Sequence, residues 1–401
     1  MTSTFEGVRV LEVAEWTLVP AAGAVLAQFG ADVIKVERPM GGDAQRGLAV
    51  SGVTPLLNGV GLQVEQTNLG GKRSIGIDIT NVEGQALIRK LIGESDVFLT
   101  SLLPATRKRV GLDIDDVRTL NPRIIYAYGN GLGAEGPDSE KGGYDMTAYW
   151  CRSGLAYSLS DPIYPPVQMR PGIGDRIGAM NIVAGIAAAL FRRERTGEGA
   201  TVEVSLLGTA MWQLASDIVY SNALEVENSR VSRGRNPLTG YYETSDERWL
   251  ALALLESDRW WPRFVESTGM QHLLADPRFE DSYARQTNYE ACVELIAAEF
   301  RKRTLDEWRK QMSSFPGPWS PIQSVQEILK DPQVTQNNYI TEIETVSGQP
   351  VGVVPAPFRI DGQQGRLDPC PEAGAQTEEV LLEFGESWDE IIRLKDCGAI
   401  C

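Results

Sequence analysis

Few residues in this chain stand where covalent chemistry could be done, and one of them, Asp175, lies in the stretch around which the rest is organised. That stretch is Arg170 to Leu206, RPGIGDRIGAMNIVAGIAAALFRRERTGEGATVEVSL. It opens with the turn Pro171-Gly172-Ile173-Gly174, and beyond Asp175 the apolar residues Ile177, Met180, Ala184, Ala187 and Phe191 recur at helical spacing. Asp175 is therefore expected at or next to a helix start. A carboxylate there can cap free backbone N–H groups and feels the positive end of the helix dipole, and both effects favour its charged form. Two roles fit the position. Asp175 can be a plain N-cap, or it can be a carboxylate that a substrate reaches, because Gly172 and Gly174 leave open backbone around it.

The other reactive residue types narrow the field. The single histidine, His272, would have to serve any Ser-His-Asp triad alone, and a His-rich metal site is excluded, so no metal is expected. The five cysteines (Cys151, Cys292, Cys370, Cys397, Cys401) are odd in number and lack the paired spacing of a zinc site or disulfide framework, which reads as reduced thiols in a cytoplasm. The net charge of −16 argues against a nucleic-acid partner. An anionic ligand would need a local basic cluster set against that overall field, and Arg107-Lys108-Arg109 is the densest such run. The longest nearly apolar run, Asn181 to Phe191, is short of the roughly 20 residues that span a bilayer, so no membrane partner is expected.

The elements that must position Asp175 follow from periodicity. VRVLEVA (8–14), a helical segment from Pro20 to Phe29 and ADVIKVE (31–37) form a strand, helix, strand unit, which predicts a parallel, doubly wound α/β sheet. Further strands are expected in GGKRSIGIDI (70–79), DVFLT (96–100), RIIYAYG (123–129) and ATVEVSL (200–206), with a helix from Glu83 to Ile92 and a loop over 48–66. The turn Glu15-Trp16-Thr17-Leu18-Val19-Pro20 lacks the glycines that a dinucleotide pyrophosphate requires, so NAD is not expected. GLGAEG (131–136) is a literal G-x-G-x-x-G, but Pro137, Asp138 and Ser139 follow where a helix is demanded; it reads as a ligand-facing loop. Gly178 and Gly185 lie seven apart on the Asp175 helix and would let another element pack closely. A polar, turn-rich segment from Asn228 to Pro237 marks a boundary, and 239–269 reads as two strands and a helix. Trp249, Trp260 and Trp261 there read as packing residues.

The GIGD turn with its small-residue helix and ALFRRERTGEGATVEVSL resembles the core signature of the family III CoA-transferases, the CaiB/BaiF family. So do LAQFGADVIKVERPMGGDAQRG (26–47), the element from Asn68 through Lys72 and Arg73 to Ser74, TSLLPATRKRVGL (100–112), GGYDMTAYWCRSGLA (142–156) and the tail 374–400. The resemblance implies that Asp175 is the nucleophile. It also implies that Arg38, Lys72 and Arg109 contact coenzyme A, and that Arg73, Trp16, Thr17, Ser101, Leu102 and Tyr144 belong to the same binding site. It implies a large Rossmann-like domain built from both termini (1–227 and 341–401), a smaller α+β middle domain (228–340) and an interlocked homodimer. The substrates implied are an acyl-CoA and a small carboxylic acid.

The sequence departs from the family pattern at Val19, where glycine is common, and at Ser101, Leu102, Leu103 and Ala105, which replace Asn, Phe, Arg and Gly. These departures prevent borrowing the substrate specificity of any relative. Racemases of the same family carry histidine where Tyr144 stands, and a tyrosine of ordinary pKa near 10 is a poor general base at neutral pH. CoA transfer through an aspartyl mixed anhydride is therefore the leading expectation. Acyl-CoA racemisation and CoA binding without turnover, with Asp175 only a cap, are the alternatives. Backbone N–H groups around Gly172 to Gly174 or Gly131 to Gly136 are the expected oxyanion donors.

Overall fold

Along the central strands, successive apolar residues face opposite ways, and both faces are buried. The strands are Arg9–Val13 (β1), Asp32–Glu37 (β2), Arg73–Gly76 (β3), Val97–Thr100 (β4), Ile125–Asn130 (β5) and Ala200–Ser205 (β6). The helices that bear on the site and its support are Leu18–Gln28 (α1), Val82–Gly93 (α2), Pro104–Val110 (α3), Ile173–Thr196 (α4), Thr377–Glu383 (α5) and Trp388–Asp396 (α6). Val10, Val33, Val97, Leu99, Ile125 and Ala127 join α1 and α4 in one core. Their neighbours Leu11, Ile34, Phe98 and Tyr126 join α2, α5 and α6 in the other. A strand with two apolar faces needs helices on both sides, which is the condition for an all-parallel sheet.

The structure is a computed structural model and describes residues 3–50, 56–57, 60–161, 163–224 and 236–401. All strand pairings in the six-stranded sheet are parallel, in the order β3-β2-β1-β4-β5-β6. The chain thus forms the doubly wound sheet expected from its first βαβ unit. The order reverses between β1 and β4, and in open α/β sheets ligands bind outside the carboxyl ends of the strands at that reversal.

The chain divides into two compact units, Met1–Arg230 with Asn338–Cys401, and Val231–Asn337. The larger is built from both ends of the chain, with α5 and α6 returning to the sheet. Of the expected boundary Asn228 to Pro237, only Asn236 and Pro237 fall among the described residues. The smaller unit carries an antiparallel sheet of Thr239–Glu243, Trp249–Ala253 and Trp319–Pro321. Trp261, Phe264, Phe300 and Trp308 fill its core, whereas Trp249 is exposed. Two local expectations need correction. Within 48–66, expected to be a loop, Leu62–Thr67 is a helix, and a helix at Ala44–Val50 enters the segment. The Asp175 helix, at 24 residues, is longer than its most apolar run, and by length and composition it could cross a membrane; it packs instead on α1, β5 and β6 as a core helix.

Small residues set how close α4 comes. A Cβ at Gly178 would meet Leu18 Cδ1 at 2.6 Å, and one at Gly185 would meet Val202 Cγ1 at 2.5 Å, so α1 and β6 approach where only hydrogen fits. That packing fixes the N-terminal end of α4 against that of α1.

Candidate active site

At the reversal of the sheet, β1 is followed by Glu15-Trp16-Thr17 and β4 by Ser101-Leu102. The Ser101 hydroxyl ties the two ends together, accepting the Glu15 N–H at 3.1 Å. Arg38, just past β2, pairs with Glu15 at 3.0 Å. Burial raises the Glu15 carboxyl above its ordinary value, opposed by Arg38 and reinforced by Asp43. Leu102 is half-buried against the core that holds Leu11 and Phe98, and its N–H is held by the Thr100 hydroxyl at 3.1 Å.

Trp16 adopts φ = 72°, a left-handed conformation that costs a non-glycine residue roughly 1–3 kcal/mol. Its indole meets the Tyr144 ring edge-on, with centroids 5.4 Å apart. Thr17 is buried at the start of α1, where its hydroxyl accepts from Gln45 Nε2 at 2.9 Å. Tyr144 is itself exposed and directly precedes the helix Asp145–Cys151, whose wide π-type turns bring Asp145 to the end of α4. There the buried Asp145 carboxylate accepts the Gly172 N–H at 2.5 Å and the Met146 N–H at 2.8 Å.

Asp175 lies in the first turn of α4, but it is not the cap; Gly172 occupies that position, with φ = 83°. Among the described residues, no hydrogen-bond partner of the Asp175 carboxylate is present. Its pKa is pushed up to about 7, first by burial and then by the nearby Asp145 charge, with Arg176 pulling the other way. The expected preference for the charged form is thus overturned: desolvation and a like charge outweigh the helix end. The open backbone expected beside it is only partly open. A Cβ at Gly174 would meet the Tyr149 ring at 2.5 Å, so this glycine is required by packing.

Not every expected CoA contact joins this group. Arg109 is exposed in the last turn of α3, the helix that follows β4. Lys72 is corrected. Its ammonium is fully buried, bonded to Glu12 Oε2 at 2.7 Å, the Pro20 carbonyl at 2.7 Å and Asn68 Oδ1 at 3.1 Å, and burial lowers its pKa to about 8. A group with every direction taken by core partners offers nothing to a phosphate. Arg73 begins β3 and binds Asp32, the first residue of β2, which sets it at the amino ends of the strands, whereas Trp16 and Ser101 follow the carboxyl ends of β1 and β4. Of the expected oxyanion donors, the Gly172 amide is taken by Asp145, that of Gly133 by Asn130 and that of Ala134 by Glu203. The N–H groups of Ile173 and Gly174 have no partner among the described residues, as the first turn of a helix dictates.

Sequence reasoning missed Asp145, Asp43 and Glu15. The Gly-Tyr-Asp run at 143–145 carried a signal for Asp145, because an acid next to a ligand-facing tyrosine is a candidate in its own right.

The CoA-transferase family III model matches residues 5–377. Over 98% of its length the chain is 29% identical to the (R)-2-hydroxy-4-methylpentanoate CoA-transferase of Clostridioides difficile, covering 99% of that protein. It is 28% identical to the cinnamoyl-CoA:phenyllactate CoA-transferase of Clostridium sporogenes, over 98% of the chain and 96% of the relative. A CaiB/BaiF family protein from Brucella suis has the same fold, with a TM-score of 0.83 at 25% identity over 96% of this chain and 100% of that one. CoA-transferases take CoA thioesters as substrates, and these likenesses support that class of activity for this chain. With the match running through nearly the whole chain, the protein belongs to CoA-transferase family III.

Proposed function

We propose that the protein moves CoA from an acyl-CoA thioester to a free carboxylic acid, with Asp175 as the covalent nucleophile. The observation that carries this reading is a partly buried carboxylate without a bonded partner, held on a rigid helix end beside the crevice where β1 and β4 diverge. Asp175 attacks the thioester carbonyl, forming a mixed anhydride and expelling CoA as thiolate. The thiolate then attacks the aspartyl carbonyl, which releases the donor's acid and leaves an aspartyl-CoA thioester. The acceptor carboxylate attacks that thioester to give a second anhydride and free thiolate. Attack of the thiolate on the new acyl carbonyl yields the product thioester and restores Asp175. The N–H groups of Ile173 and Gly174 are suited to receive the oxyanion of each addition.

Arg38, Arg109, Trp16, Thr17, Ser101, Leu102 and Tyr144 are proposed to line the coenzyme A path. The relatives described above are named for CoA transfer, which favours transfer over racemisation. A cytoplasmic location and a homodimeric state belong to the same proposal. The deciding experiment is peptide mass spectrometry after brief incubation with acyl-CoAs of aliphatic, aromatic and dicarboxylic acids, quenched with and without hydroxylamine. A hydroxylamine-sensitive adduct is expected on the peptide containing Asp175. CoA binding with no adduct from any donor would remove the nucleophile assignment.

A further inference from the structure

The strained turn at Trp16 is joined to a buried chain of charges. Asp43 is 1% exposed, and its carboxylate serves two masters. Oδ1 accepts the N–H of Trp16 at 3.1 Å and that of Gln45 at 2.9 Å, while Oδ2 faces Lys35 Nζ at 2.9 Å. Lys35 is equally buried and also donates to Glu12 Oε1 and the Ala14 carbonyl, both at 2.9 Å. Glu12 passes its other oxygen to Lys72 at 2.7 Å. Two cations and two carboxylates therefore run in alternation from Lys72 to Asp43, and the chain ends on two main-chain N–H groups, those of Trp16 and Gln45.

Buried ion chains seldom improve stability over apolar packing, so their geometry is the more informative property. Here the geometry fixes the Trp16 peptide, and the Gln45 peptide beside it. Strained backbone persists only where its surroundings over-determine it, and such positions cluster at functional sites. The consequence continues outward: the Trp16 indole rests on Tyr144, and Tyr144 directly precedes Asp145, which binds the end of α4.

We propose that Asp43 is a positioning residue. Its carboxylate, oriented by Lys35, holds Trp16 in the left-handed conformation that sets the indole edge-on to Tyr144 beside the Asp175 helix end. The functional weight of this arrangement rests on the reading of the crevice as the transferase site, but the arrangement itself does not.

The test uses the full chain labelled with 5-fluorotryptophan, with the Trp16 fluorine resonance assigned through Trp16→Phe. In Asp43→Asn the Trp16 resonance is expected to shift or broaden, while those of Trp261 and Trp308, in the core of the smaller unit, stay in place. A folded Asp43→Asn protein whose Trp16 resonance is unmoved would overturn the proposal. Should Asp43→Asn fail to fold, Asp43→Asn combined with Trp16→Gly decides, because glycine takes φ = 72° without strain and no longer needs holding. Recovery of a folded protein supports positioning; continued failure shows that Asp43 acts only as core structure and overturns the proposal. Adduct formation at Asp175 is measured on the same samples and is expected to slow at least tenfold in Asp43→Asn. The fluorine readout needs no turnover, so a missing adduct in the parent protein would unseat the transferase reading and leave the positioning result to be judged separately.

Discussion

A carboxylate nucleophile must be charged to attack and poorly solvated to be reactive, and Asp175 sits between the two demands. With its pKa pushed up to about 7, its charge changes in the neutral range. The rate of adduct formation at limiting acyl-CoA is therefore expected to rise with pH through about 7 and then level. Asp145→Asn keeps an oxygen to accept the Gly172 N–H but removes the like charge that helps to raise Asp175, so the midpoint should move to lower pH. An unmoved midpoint in that variant would remove Asp145 as a cause. The same shift has a cost in stability, whose sign follows from proton binding. The folded protein holds a proton that the unfolded chain, with a carboxyl near 3.8, has released, so this group's contribution to stability falls as pH rises from about 4 to 7. Asp175→Asn is expected to melt at a higher temperature than the parent at pH 8 and by a smaller margin at pH 5, as measured by calorimetry.

At the scale of elements, the strands and the βαβ opening were legible because their apolar runs are short, β-branched and bounded by turn residues, and β1, β2 and α1 fall within two residues of the reading. What was not legible depends on contacts distant in sequence. Nothing local to Lys72 in Gly-Gly-Lys-Arg reveals that its ammonium meets Glu12, sixty residues earlier, and nothing around Asp175 announces Asp145. The left-handed turn at Trp16 has no glycine to betray it. Gly174 looked like open backbone for a substrate and proves to be the contact point of the Asp145–Cys151 helix, through Tyr149. Gly174→Ala should accordingly lower stability by about 1–3 kcal/mol, the usual cost of overpacking. Because the displaced helix carries Asp145, adduct formation should also fall in protein that remains folded. Chemical denaturation and single-turnover trapping measure the two effects. A variant as stable as the parent would show that Tyr149 yields without cost.

For the whole molecule, the open question of assembly turns on surface that the larger unit leaves uncovered. Helix Ala215–Leu224 buries none of its residues, and Val219, Tyr220 and Leu224 on it are exposed, as are Met211 and Trp212 on the preceding helix Leu206–Gln213. Exposed apolar side chains gathered on two successive helices point to an association face, and an apolar helix with no buried side is not stable bare in water. The family resemblance implies a second copy of the chain as its partner. Light scattering on the eluting protein should therefore give twice the 44.0 kDa of one chain. Trp212→Asp combined with Tyr220→Asp should shift that mass toward the single chain. A two-fold interface repeats each contact, so the pair of substitutions places four carboxylates in an apolar contact, at a cost no surface ion pair could match. A parent protein that elutes as one chain, with these side chains still exposed, would overturn the homodimer and leave the helix pair needing another partner.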